Sequence, residues 1–108
     1  MTPLPGRPVR GSTTGRPVMA LLDLLGRRWA LRILWELRDS ALTFRALQQR
    51  CDGVSSSVLA TRLRELAEAD LADHSGDGYA LTEQGRSLFG TLVELDAWAS
   101  RWRPRQPS

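Results

Sequence analysis

Ser56, Ser57, Ala60, Thr61 and Arg64 recur at spacings of three and four within the segment from Ser55 to Ala69, which puts them along one broad side of a helix. Hydroxyl and methyl groups of this size let a helix approach the floor of a DNA major groove closely, and the guanidinium of Arg64 reaches a guanine edge or a phosphate. At about 100° per residue, Leu59, Leu63 and Leu66 gather on the other side as a core stripe. An ordinary surface helix carries the same residue types, so the assignment depends on its surroundings. Arg28, Arg45 and Arg62 are the candidates for phosphate contacts. Arg28 and Arg45 stand at expected helix starts, where backbone N–H groups also favour an anion. The competing role for each is a surface salt bridge.

Other chemistry lacks its residues. His74 and Cys51 are isolated, and no CxxC or HxxxH spacing occurs, so no metal site is expected. Ser55, Ser56 and Ser57 have no histidine near them in sequence, and serine at a helix start is normally a cap. With no phosphate loop either, the chain is expected to be neither an enzyme nor a cofactor carrier. Cys51 reads as a small buried thiol, with neighbouring Arg50 the one feature that favours a sensing role. Trp29, Trp35, Trp98 and Trp102 suggest a pocket for a small planar aromatic effector, although core and interface packing is the commoner use of tryptophan.

The 108 residues suit one domain, and 42% hydrophobic with 25% charged residues is ordinary globular usage. All fifteen basic residues are arginine, against twelve acids, for a net charge of +3. That balance favours a polyanion partner. However, Arg7, Arg10, Arg103 and Arg105 lie in proline-rich ends, and without them the rest is close to neutral. The apolar run from Pro17 to Leu22 stops at Asp23, so no membrane span or signal peptide is expected. A lone cysteine excludes an intrachain disulfide framework and suits the cytoplasm.

Placing these residues requires a set of short elements. Residues 1–15, rich in proline and glycine, read as a flexible arm, and residues 103–108 as a flexible tail. The domain between, 16–102, opens with Pro17 at a helix start and Val18 to Leu25 apolar nearly all round before Gly26. A helix apolar on two sides, in a domain this small, calls for cover by a second subunit. Arg28 to Arg38 reads as the second helix. Thr43 caps a third, Phe44 to Arg50, and Ser55 caps the fourth. Leu71 to His74 and Tyr79 to Leu81 flank the turn Ser75-Gly76-Asp77-Gly78 as a hairpin. Thr82 caps a final helix with Leu88, Leu92, Leu95, Ala99 and Trp102 at spacings of four and three, a seam for another helix. The expected fold is mainly α with a small β-hairpin: a winged helix-turn-helix dimerising through its first and last helices. The expected interface comprises Val18, Leu21, Leu22, Leu25, Leu88, Leu92, Leu95, Trp98 and Trp102.

The blocks Pro17-Val18, Leu22 to Trp29, Ile33 to Leu37, Phe44 to Leu47, Val54-Ser55, Leu59 to Leu66 and Tyr79 to Arg86 resemble, in order and spacing, the HxlR-type regulators. These are a bacterial branch of winged-helix transcription factors related to the MarR type. The resemblance implies a cytoplasmic homodimer on a roughly palindromic stretch of double-stranded DNA, read here as a repressor that an effector releases. Three departures qualify it. Oxidant-sensing members carry a cysteine just before the Pro-Val pair, where this chain has Arg16. The wing is short, with Asp73 and Asp77 and no arginine, so it is expected to add little affinity unless His74 helps. The arm with Arg7 and Arg10 would compensate by reaching a groove. Asp70 replaces a common glycine between the fourth helix and the wing, a substitution that a left-handed turn tolerates. The acidic wing also motivates a different reading, a winged-helix module that binds protein and leaves DNA alone.

Overall fold

The structure, a computed structural model, describes residues 2–7 and 16–106. Helix α1 (Pro17–Leu25) has proline in its first turn and ends where the Gly26 N–H returns to the Leu22 carbonyl at 2.9 Å. Helix α2 (Ala30–Glu36) is shorter than the expected Arg28 to Arg38. Trp29 adopts a left-handed φ of 77°, so Arg27 to Trp29 make a tight reversal instead of a first helical turn. That conformation is rare for a bulky residue. It is held between the Ala30 N–H to Arg27 carbonyl bond at 3.1 Å and a fully buried Ala30.

Hydroxyls cap the next three helices as their sequences require. Thr43 accepts from the Ala46 N–H at the start of α3 (Phe44–Arg50). Ser55 accepts from the Val58 N–H at the start of α4 (Ser56–Glu68). Thr82 accepts from the Gly85 N–H at the start of α5 (Glu83–Arg101). Between α4 and α5 lie β1 (Ala72–Ser75) and β2 (Gly78–Leu81), antiparallel with Ser75 opposite Gly78. The turn is therefore Gly76-Asp77, with Gly76 at φ 63°, as a two-residue hairpin with glycine first requires. This hairpin has a further backbone partner without a signature in the sequence: Leu42 exchanges both backbone hydrogen bonds with Tyr79, at 2.9 and 2.8 Å.

Asp70 closes α4 in the left-handed region, at φ 55°. The Leu71 N–H reaches back to the Leu66 carbonyl at 2.9 Å, which completes a Schellman-type end. The Asp70 carbonyl accepts from the Thr82 hydroxyl at 2.6 Å, and its carboxylate from the Gln84 amide. The core lies where α2, α3 and α4 converge under the wing, around Ile33, Leu34, Leu47, Leu59, Leu66 and Leu81.

Of the expected flexible arm, residues 1–15, the structure describes residues 2–7. Thr2 and Pro3 are buried, and Pro3, Leu4 and Pro5 line an apolar pocket together with Val18, Leu21 and Leu24 of α1 and with Leu71. The physical reason is that this short stretch carries enough apolar surface to cover a side of α1 that the domain leaves open. Arg7 is exposed, while Arg10 lies outside the described residues. At the other end, 102–106 are exposed and without regular structure. Among the described residues, no helix is long and apolar enough to cross a membrane.

Candidate nucleic-acid interface

Helix α4 is divided as its leucine period requires. Leu59, Leu63 and Leu66 are buried, whereas Ser56, Ser57, Ala60 and Arg64 are exposed and Thr61 is half-buried on the flank. The small residues occupy the first two turns, so the part of the helix nearest its N-terminus has a low, polar profile. Gln48 of α3 fixes the start of this row by donating to Ser56 Oγ at 3.0 Å and to the Val54 carbonyl at 3.4 Å. Gln48 escaped the sequence reading because it sits in a short helix whose single fully buried residue, Leu47, carries the periodic signal.

Arg64 pairs with Glu68 one turn on, at 3.1 Å. An exposed i,i+4 pair of this kind contributes little in water, so Glu68 is readily exchanged for a base edge or phosphate. Arg45 on α3 is exposed, and so is Arg28, whose guanidinium lies over the Trp29 ring at 5.6 Å. Arg28 belongs to the turn before α2, not to a helix N-terminus, because Trp29 delays the helix. Arg62, the third phosphate candidate, departs from the expectation more sharply. Its side chain is 19% exposed and turned inward, with Nε donating to the Arg28 carbonyl at 2.8 Å and Nη1 to Glu65 at 3.0 Å. Glu65 lies on the buried side of α4 and draws Arg62 to it.

The wing is acidic at its surface. Asp73, His74, Ser75 and Asp77 are exposed, and the His74 ring lies 4.6 Å from that of Tyr79. Asp73 accepts from the His74 N–H at 2.7 Å. Two carboxylates beside a phosphate backbone repel it, whereas the exposed candidate arginines, Arg28, Arg45 and Arg64, lie on the α1–α2 turn, α3 and α4.

Cys51 is fully buried at the end of α3. Burial pushes its thiol pKa above the ordinary 9.0; neighbouring Arg32 opposes that rise only in part, and Glu36 adds to it. A thiol in this setting is a packing residue and not a nucleophile. Among the described residues, no cluster of histidine, cysteine or acidic side chains could hold a metal ion.

Among the described residues, the four tryptophans are spread over separate surfaces. Trp35 and Phe89, 5.7 Å apart, line an open groove of about 440 Å³ with Leu31, Leu92, Leu95 and Ala99. Trp98 and Trp102 stack on each other at 6.0 Å further along α5, and Trp29 borders a separate depression beside Leu25 and Arg28. The physical reason is that α5 outruns the domain: Leu88, Phe89 and Leu92 pack on the core, and the helix beyond them is exposed. The residues expected at a subunit interface divide accordingly. Leu21, Leu25, Leu88 and Leu92 lean on the core, while Val18, Leu22, Leu95, Trp98 and Trp102 are each more than half exposed. Leu31 and Trp35 of α2 and Val93 of α5 join that surface; none was in the expected set, and Val93 lies off the Leu88, Leu92, Leu95 spacing.

A sequence model of HxlR-like helix-turn-helix proteins matches residues 24–107, every element from the end of α1 onward. The chain belongs to the HxlR family. An uncharacterized HTH-type transcriptional regulator of Mycobacterium tuberculosis is 38% identical to it over 98 residues. The match takes in 84% of this chain and 61% of that relative, so the chain spans about three-fifths of the relative's length. The HTH-type transcriptional regulator YodB of Bacillus subtilis is 28% identical over 99 residues, 85% of this chain and 88% of YodB. Among solved structures, quinone-bound YodB superimposes with a TM-score of 0.75 at 30% identity, covering 79% of this chain and 97% of that one. A possible HxlR family transcriptional factor from Thermoplasma volcanium superimposes with a TM-score of 0.66 at 29% identity, covering 74% and 78%. HxlR-family proteins and these relatives are transcriptional regulators and not enzymes. The order α3, turn, α4, hairpin is their winged helix-turn-helix.

Proposed function

We propose that this HxlR-family chain represses transcription as a homodimer whose two α4 helices enter successive major grooves of a roughly palindromic operator, about 34 Å apart. The observation that carries the reading is the division of α4. A buried leucine stripe holds the helix down, while Ser56, Ser57, Ala60 and Arg64 are exposed on its outer side with Thr61 half-buried on the flank, Gln48 bonded to the first serine and Glu68 beside Arg64. In this arrangement Arg28 and Arg45 contact phosphates. The subunits join through the apolar surface of α1 and α5, where Leu22 is 57% and Leu95 59% exposed. Surface of this kind on several adjoining helices is characteristic of an interface.

A small aromatic effector releases the repressor. Its support is the open groove beside Trp35 and Phe89, and a quinone is bound to the related YodB. Because Arg16 precedes Pro17 and Cys51 is buried, the effector is held here by packing and not by a thiol adduct. Titrating a naphthoquinone while following tryptophan fluorescence tests this: saturable quenching is expected in the native protein, and quenching equal to that of the denatured chain would dispose of the effector.

Mobility-shift binding of the full chain to a duplex from its gene's own upstream region tests the main reading. A retarded complex that weakens steeply between 50 and 200 mM salt is expected, since each phosphate contact adds about 0.9 to the slope of log K against log salt. The exposed Asp73 and Asp77 of the wing favour a second reading, a protein-binding module, for which no duplex would be retarded.

A further inference from the structure

Glu65 is an acidic residue among the buried leucines of α4. Its side chain is 5% exposed, and an ionised carboxylate in such a place must be paired. Both oxygens are. Oε1 accepts from Arg62 Nη1 at 3.0 Å, and Oε2 from Arg27 Nη1. Neither arginine stops there. Arg62 Nε holds the Arg28 carbonyl at 2.8 Å, and Arg27 faces Asp23 of α1 at 3.7 Å. Two guanidiniums and two carboxylates, none more than 27% exposed, thus join α1, the α1–α2 turn and the middle of α4. The carbonyl that Arg62 grips precedes Trp29, the residue at φ 77°, so the cluster ties α4 to a backbone that no helical regularity fixes.

We infer that Glu65, Arg27 and Arg62 are positioning residues for DNA reading, the cluster setting the height and rotation of α4, and that Arg62 serves in this way instead of contacting a phosphate. The inference rests on α4 being the recognition helix. The cluster begins immediately after the base-facing residues Ala60 and Thr61, so it governs where those short side chains stand. Hydrogen bonds from a hydroxyl to a base edge hold over only about 2.5–3.0 Å, whereas long arginines follow a phosphate through larger shifts. Loosening the cluster therefore costs discrimination between sequences more than it costs salt-dependent attraction to DNA at large. Because the cluster starts on α1 at Asp23, next in sequence to exposed Leu22, it also links the proposed subunit contact to the reading helix.

The test uses the full chain, a labelled duplex from its gene's upstream region and a scrambled duplex of equal length, with anisotropy read across a salt series. Glu65→Gln and Arg62→Gln are both needed, since Arg62→Gln leaves the Arg27–Glu65 pair in place should Glu65→Gln fold poorly. For each, affinity for the upstream duplex is expected to fall about fivefold or more, the factor that a lost or misaligned base contact of about 1–3 kcal/mol implies. Affinity for the scrambled duplex and the salt slope should stay as in the wild type. Arg62→Lys, which keeps a donor toward Glu65, should recover part of the loss. An Arg62→Gln protein that weakens on both duplexes alike, with a slope shallower by about 0.9, would make Arg62 a phosphate ligand and overturn the inference. So would variants that melt earlier yet discriminate as the wild type does, a purely structural role. A wild type that does not distinguish the two duplexes would remove the recognition-helix reading and this inference together, which separates the two failures.

Discussion

Arg64 ends the base-facing row and pairs, among the described residues, with the exposed carboxylate of Glu68, so its removal acts on DNA far more than on folding. Arg64→Ala is expected to weaken binding to the upstream duplex by about 1–3 kcal/mol and to leave the melting temperature nearly unchanged, checked by anisotropy and calorimetry. Cys51 behaves oppositely, because burial raises its pKa. The folded chain keeps the thiol proton that the unfolded chain releases near pH 9.0, so this group's contribution to stability is intact below that pH and declines as pH rises through it. A disulfide reagent at pH 8 should accordingly label Cys51 no faster than the chain opens, and rapid stoichiometric labelling of the native protein would contradict the burial. At Asp70 the left-handed backbone decides: Asp70→Gly should alter stability by less than about 1 kcal/mol, while Asp70→Val should cost about 1–3 kcal/mol, read from denaturant midpoints. The turn at Asp70 and the caps at Thr43, Ser55 and Thr82 were legible in the sequence because each is a local preference of one residue. The inward fold of Arg62 was not, since its backbone partner stands 34 positions away and nothing in helical spacing points to it.

The elements carry their own constraints, and the tightest is the approach of α5 to the end of α4. A methyl group at Gly85 would overlap the Leu71 carbonyl oxygen, which is backbone and cannot turn aside. Gly85→Ala is therefore expected to cost about 1–3 kcal/mol by overpacking, with the wing and the start of α5 losing hydrogen-exchange protection first; an unchanged melting curve would refute that packing. Gly78 is confined in the same way by the backbone of Leu42, the strand partner that sequence reading lacked. Element types and order were readable from apolar periods and turn residues. The late start of α2 was not, because Arg28 and Trp29 are acceptable helix formers and only the reversal between α1 and α2 pushes Trp29 to a positive φ. The packing of Thr2 to Leu4 was missed for a related reason: proline-rich composition argues against helix and strand but says nothing about burial against α1.

Across the whole molecule, an apolar surface on α1, α2 and α5 lies apart from the polar row of α4, the first proposed for self-association and the second for DNA. The tryptophan pocket suffered in translation from sequence to structure because a wheel drawn for one helix cannot tell where α5 leaves the core. Leu95→Glu places a charge in the exposed seam, and sedimentation is expected to give a monomer that retains its circular dichroism and binds the upstream duplex at least tenfold more weakly, as loss of one of two half-site contacts requires. The most direct measurement is the stoichiometry of the full chain on that duplex, obtained by titration above the dissociation constant at low salt and repeated as salt rises. Two chains per duplex, with affinity falling in proportion to several phosphate contacts, is the expected result. One chain per duplex, or binding indifferent to both salt and sequence, would contradict the claim that paired α4 helices read DNA.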